Sequence, residues 1–452
     1  YLTLLDDVVA FARDDAVAGP GQMTVTQTSI RRTLDSYYWS ALDDNWSVTP
    51  TWNNDTNSNP QAWQYSTPKM QDGTMWTSSR TYQIQSRGRD TAANQETPSA
   101  GVTYTFDNIP PVTAISSPVA GGAYGPLKTL PQMLGSGLDE TSPVTTVYVA
   151  LSSAPGYSSS WTGSSWTANA DNWVIASGTG SWVWTHALTF SHGVTYRVKT
   201  KSRDLLTASY NEETPGAGNS FVFDNQTPVS TVTTPSPAQH DYDAPISLIQ
   251  GTASDAPADV DLVDIALRYQ TVAGMADHPQ TYRWNGSTWT ISGGDIWLSA
   301  TGGTSWNYPF PGSPGWRSAA ENYLKTRARD KALNVETPGA EVNFRVTLPA
   351  AKFIITLAPG PFTAGTQIST GSVKALDVND NQAAGFVGTV QFTANGEIST
   401  AGDLTPFTTV FGVQDNGFVG IDGLIKVKQA GPLTIGCFYV VTPGTVSVNN
   451  PT

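Results

Sequence analysis

Four oxygen-bearing side chains fall within five residues at Asp377-Val-Asn-Asp-Asn381. Calcium binds through about six to eight carboxylate, amide and carbonyl oxygens, which makes Asp377, Asn379, Asp380 and Asn381 candidate ligands for that ion. The competing reading is a polar turn, because Asp and Asn hydrogen-bond nearby backbone and tolerate left-handed conformations. Related clusters recur at Asp90/Asn94/Glu96, Asp204/Asn211/Glu213 and Asp330/Asn334/Glu336. There the alternatives are again calcium or a capped turn, with an Arg-Asp pair pinning the loop. Tryptophan offers a second chemistry. Trp161-Thr-Gly-Ser-Ser-Trp166 and Trp284-Asn-Gly-Ser-Thr-Trp289 place two indoles astride a tight turn. Exposed, Trp161, Trp166, Trp284 and Trp289 would stack on the sugar rings of surface glycans. Folded inward, they would close a hairpin over a sheet edge.

Catalysis finds little footing. His186, His192, His240 and His278 are scattered and do not recur from one part of the chain to another. The sequence has no His-x-x-x-His pair, no Gly-x-Ser-x-Gly elbow and no phosphate-cradling glycine loop. The expectation is a protein that is not an enzyme and has no cofactor, calcium aside. Lys and Arg number 24 against 37 Asp and Glu, a net charge of −13. With no basic cluster to neutralise phosphates, nucleic acid is excluded as a partner, and an anionic membrane surface is a poor one. No run of 18 apolar residues exists, so no membrane insertion is expected within the chain. The single cysteine, Cys437, rules out an intrachain disulfide and reads as a small buried hydrophobe. The chain starts at Tyr1 without Met, which implies a removed leader or a piece of something longer.

These groups ride on a repeat. Tyr82-Gln-Ile-Gln-Ser-Arg-Gly-Arg-Asp90, Tyr196-Arg-Val-Lys-Thr-Lys-Ser-Arg-Asp204 and Tyr323-Leu-Lys-Thr-Arg-Ala-Arg-Asp330 each lead to an Asn and a Glu-Thr-Pro. Each is followed by an aromatic strand: Tyr104–Asn108, Ser220–Asn225 and Val342–Val346. Upstream, Met133-Leu-Gly-Ser-Gly-Leu-Asp139 matches Leu248-Ile-Gln-Gly-Thr-Ala-Ser-Asp255, with a looser form from Leu5 to Asp14. Period-two alternation with turn signals between, in a unit of roughly 115–125 residues, predicts an all-β chain of tandem β-sandwiches. The Pro-bounded segments Pro110–Pro118 and Thr227–Pro235 are expected to serve as first strands of the repeats they enter. The first repeat lacks that strand. All 15 tryptophans precede residue 317, so a distinct sandwich is expected after residue 347. In it, Ser372–Thr393 reads as a β-hairpin around one polar turn. The domains are therefore 1–109, 110–226, 227–347 and 348–452, in an elongated rod of order 150 Å at about 3.3 Å per strand residue.

The Tyr-x-Val/Ile…Asp…Asn-x-Glu blocks at Tyr82–Glu96, Tyr196–Glu213 and Tyr323–Glu336 resemble the bacterial Ig-like repeats of large surface and secreted proteins. The last domain resembles the invasin/filamin-like bacterial Ig type through Ala364-Gly365, Val373–Asp377 and Gly388–Thr393. Asp377–Asn381 is similar to the calcium-binding linker motif of cadherins, although it lies within a domain. These resemblances imply an extracellular, cell-surface, structural or adhesive protein in a layer, stalk or filament. Its expected partners are neighbouring Ig-like repeats or other copies of itself. The strand missing from the first repeat leaves two readings open, strand addition from the tail 444–452 of another copy or a strand lying upstream in a longer array. The alternative they leave open is a glycan-binding surface module using the Trp hairpins.

Overall fold

Alternating residues such as Tyr196, Val198 and Thr200 become the inward face of a ten-residue strand, Thr195–Asp204, in the computed structural model. The structure describes residues 5–11, 23–56, 62–168, 171–204, 210–273, 275, 277–359, 363–378, 380–394, 398–400, 408–428 and 435–440. The Asn379 ligand candidate and the tail 444–452 lie outside them. Apart from a single helical turn at Pro68–Gln71 and a 3-10 turn at Val413–Asp415, every regular element described is a strand. Among the described residues no helix is long and apolar enough to cross a membrane.

One long antiparallel pair anchors each repeat. Met23–Arg32 pairs with Arg80–Asp90, Val144–Ser153 with Thr195–Asp204, and Val260–Gln270 with Glu321–Asp330. All three ladders shift register at the same end, between Met23 and Val25, Val144 and Thr146, and Val260 and Leu262. The aromatic strands Val102–Phe106, Asn219–Phe223 and Val342–Val346 extend these sheets. The facing sheet of the second repeat has the order Ser181–Thr185, Gln132–Leu138, Val112–Ser117. In the third it contains Ser305–Pro309, Leu248–Ser254 and Val229–Thr234. Val112–Ser117 and Val229–Thr234 are the Pro-bounded segments, and they do open their repeats as strands. In the first repeat the facing sheet holds only Val8–Phe11 and Ala62–Tyr65 among the described residues.

The chain divides into two compact units, residues 1–223 and 224–452. The first unit holds two separate cores, one built on Ile30, Trp39, Trp63 and Tyr82, the other on Val147, Leu151, Trp182 and Phe221. The second holds one on Val263, Leu267, Trp284, Trp306 and Leu324 and another on Val373, Val390, Phe411 and Ile425.

In the last domain the expected hairpin is corrected. Gly371–Leu376 pairs with Lys352–Leu357 and Phe418–Gly420, whereas Gly388–Ala394 pairs with Thr408–Phe411 and Ile435–Val440. The two strands therefore lie in different sheets, and the polar segment between them crosses the sandwich. Its eleven residues exceed the two to five that a hairpin loop favours.

Candidate metal centres

The structure spends the Trp hairpins on packing. Trp161 pairs across strands with Trp166, Trp284 with Trp289, and in the first repeat Trp39 with Trp46. Each pair meets edge to face, with ring centroids 5.4–5.6 Å apart. Gly163 and Gly286 turn the two tight hairpins at φ of +102° and +97°, a region that residues with a Cβ avoid. Trp284 is fully buried in its core, so the expectation that it presents a face to a sugar is corrected. Trp161, Trp166 and Trp289 are half-buried and packed against the same cores. His186 lies against the rings of Trp184 and Phe190, and burial pushes its pKa down, favouring the neutral form.

The local acidic clusters separate into two jobs. The Glu of the second and third Glu-Thr-Pro is a latch between sheets. Glu213 accepts from the Thr113 backbone N–H at 2.8 Å and from the Ser202 hydroxyl at 3.0 Å. Glu336 accepts from the Ser230 N–H at 2.9 Å and the Ala328 N–H at 2.8 Å. Glu96 accepts from the Gly88 N–H, and no opening strand of its repeat lies among the described residues. The Asp90–Asn94 and Asp330–Asn334 segments are turns, as expected, and the Asn94, Asn211 and Asn334 N–H groups each donate to the preceding Asp Oδ1 at 2.8 Å. In the last domain the Asn381 N–H donates to Asp377 Oδ1 at 3.0 Å, while Asp380 pairs with Lys352.

The Asp of that turn then meets two others that sequence spacing leaves far away. Asp107, Asp139 and Asp204 bring a carboxylate oxygen each to within 4.8 Å of one another, and Asp224, Asp255 and Asp330 do the same. Each set draws on the same three places. One aspartate follows the aromatic strand of the preceding repeat, one ends the Gly-rich strand, and one ends the long central strand. Asn211 Nδ2 donates to Asp204 Oδ2 at 2.6 Å and to the Asp107 carbonyl at 3.2 Å. Asn334 repeats this with Asp330 and Asp224, at 2.8 and 3.2 Å. Two loop N–H groups, of Thr141 and Ser142, donate to Asp139 Oδ1 at 2.8 and 2.7 Å. The Asp224 carboxylate accepts from Gln226 and Ala258 N–H groups.

Three ionised carboxylates no farther apart than this repel one another by at least about 3 kcal/mol per pair at an effective dielectric near 20. Asp107, Asp204, Asp224 and Asp330 are all fully buried, which removes the water that would screen them. The strain shows in proton affinity. Burial, then the Asp224 carboxylate beside it, pushes Asp255 up to about 6. Burial raises Asp204 as well, with Asp107 and Asp139 adding to the shift.

No protein-family model matches the chain, and no curated protein does. Among solved structures it is similar to the fibronectin(III)-like modules of Clostridium thermocellum CbhA, at 16% identity over 52% of this chain and 95% of that one, TM-score 0.25. It is also similar to the chicken CNTN1 FN1–FN3 domains, at 11% identity over 76% of this chain and 95% of theirs, TM-score 0.26. A Bacteroides uniformis beta-glucuronidase 3 matches over 50% of this chain and 25% of the enzyme, at 12% identity and TM-score 0.17. The chain is all-β, an array of tandem Ig-like β-sandwiches. That statement rests on the paired sheets and separate cores described above, and no activity comes with these likenesses.

Proposed function

We propose that the chain is a non-enzymatic structural or adhesive element of a bacterial cell surface, part of a layer, stalk or filament. On this reading its last domain is of the invasin/filamin-like bacterial Ig type. The observation that carries it is what the recurring residues do. The Trp pairs, the Glu latches and the Asp-Asn turns all hold a module together or fasten the segment that enters it. A chain that repeats such parts in register is built to extend by stacking modules. The glycan reading loses its best platform with Trp284, which the core occupies.

The test is surface labelling of the native host with an antibody against the second repeat, combined with protease shaving of intact cells. Labelling before lysis and loss of the antigen on shaving are expected. Signal that appears only after lysis overturns the proposal. Negative-stain microscopy of the purified native material then separates a filament, with a regular axial repeat, from a spacer seen as single particles.

A further inference from the structure

We propose that Asp107, Asp139 and Asp204 form one divalent-cation site and Asp224, Asp255 and Asp330 a second, equivalent one, and that the cation is calcium. Three carboxylates alone would be weak ground. The independent observation is that the fully buried Asp107 has one carboxylate oxygen, Oδ2, without any hydrogen-bond partner. Asp139 Oδ2 and Asp255 Oδ2 are likewise buried and unmatched. A buried anionic oxygen left without a donor is costly, and native structures rarely keep one unless an unseen water or ion completes it. The unmatched oxygen of Asp139 recurs at Asp255, at the same place in the next repeat, while Asp224 Oδ2, the counterpart of Asp107 Oδ2, accepts from the Ala258 N–H. Each set converges within 4.8 Å.

The remaining oxygens are already committed in a way that suits a ligand set. Asn211 and Asn334 hold Asp204 and Asp330 by backbone and side-chain N–H groups, fixing the carboxylates without neutralising them. Loop N–H groups of Thr141 and Ser142 do the same for Asp139 Oδ1. The donor set is all oxygen, which selects a hard cation over zinc or copper. The ligand set favours calcium over magnesium: magnesium keeps several of its waters and usually takes one or two carboxylates, whereas three carboxylates from one chain suit calcium. The ion would tie together three segments, among them the residue that directly follows the preceding aromatic strand.

The experiment is calorimetric titration of calcium into the full chain, stripped with EDTA and returned to chelator-free buffer at pH 7.5, with thermal unfolding in parallel. At least two equivalents bind, and the first unfolding midpoint rises by several degrees with 1 mM calcium. Asp107→Asn with Asp139→Asn removes one equivalent, Asp224→Asn with Asp255→Asn removes another, and Asp377→Asn removes neither. The single variants Asp139→Asn and Asp255→Asn, at the two half-exposed positions, weaken their own site at least tenfold and guard against misfolding in the double variants. Calcium that fails to bind the wild-type chain at 1 mM overturns the proposal. So does binding of unchanged stoichiometry and affinity in all four variants.

Discussion

At the scale of single residues, burial decides which groups titrate and react. Burial pushes the Asp55 carboxyl up to about 6, partly offset by the Thr28 hydroxyl beside it. A folded-state value above the ordinary 3.8 means that the native chain binds this proton more tightly than the unfolded one. The associated stability is present in full below about pH 4 and is lost as pH rises through 6. Asp55→Asn keeps the shape and removes the charge. It should raise the midpoint of the first unfolding transition by a few degrees at pH 7.5, about 1–2 kcal/mol after allowing for partial solvation, with no gain near pH 4. A variant no more stable than its parent at pH 7.5 would count against this account. Cys437 responds to the same cause: burial pushes its thiol up to about 11. In the native chain at pH 8 it should fail to react with Ellman's reagent, and one thiol per chain should appear on unfolding in guanidinium.

At the scale of elements, a glycine and a latch report how the two sheets close. Gly135 and Gly251 sit opposite Trp182 and Trp306 in the facing sheets. A Cβ at either would overlap that indole and also the carbonyl oxygen of Ala114 or Thr231 on the opening strand. In the first repeat Ala10 occupies the position opposite Trp63, and no opening strand lies beside it among the described residues. Gly135→Ala or Gly251→Ala should therefore cost at least about 2–3 kcal/mol in denaturant unfolding, an overpacking that only strand movement relieves. Glu336→Ala strands the Ser230 and Ala328 N–H groups and should cost about 1–3 kcal/mol, with faster amide exchange along Val229–Thr234. Glu96→Ala, whose carboxylate meets only the Gly88 N–H of these partners, should cost less. Equal effects of the two Glu variants would remove the latch.

Much of this was legible beforehand, because period-two alternation and turn residues act locally. The opening strands, the Trp hairpins and the Asp-Asn turns all follow from neighbours in sequence. The carboxylate triads do not. Asp139 and Asp204 meet Asp107 only because the ends of strands from three different sheets come together, and separation along the chain hides that. The signal available was positional: Phe106-Asp107-Asn108 and Phe223-Asp224-Asn225, with Asp139 and Asp255, recur at fixed places in the repeat. The misread hairpin at Ser372–Thr393 has the same origin, since alternation names a strand but not its sheet.

At the scale of the whole molecule, the consequence of four separate cores is independence. The four large core clusters share no side chain, and a small satellite of Tyr269, Met275 and Ala320 adjoins the third through Trp289. A chain built this way should not unfold as one cooperative block, and scanning calorimetry should show more than one transition, with a calorimetric enthalpy above the van't Hoff value. Leu324 tests this directly. It is fully buried in the third core, against Val263, Leu267 and Trp284 among others, and lies on the strand that pairs with Val260–Gln270. Leu324→Ala should cost about 2–5 kcal/mol, the range for a truncated core leucine with a partly relaxed cavity. In an array of nearest-neighbour modules that loss stays local. One transition should drop by several degrees, and the transition that Ile30→Ala lowers in the first core should not move. If both variants displaced every transition together, the cores would be one thermodynamic unit, and stacking of independent modules would no longer describe the chain.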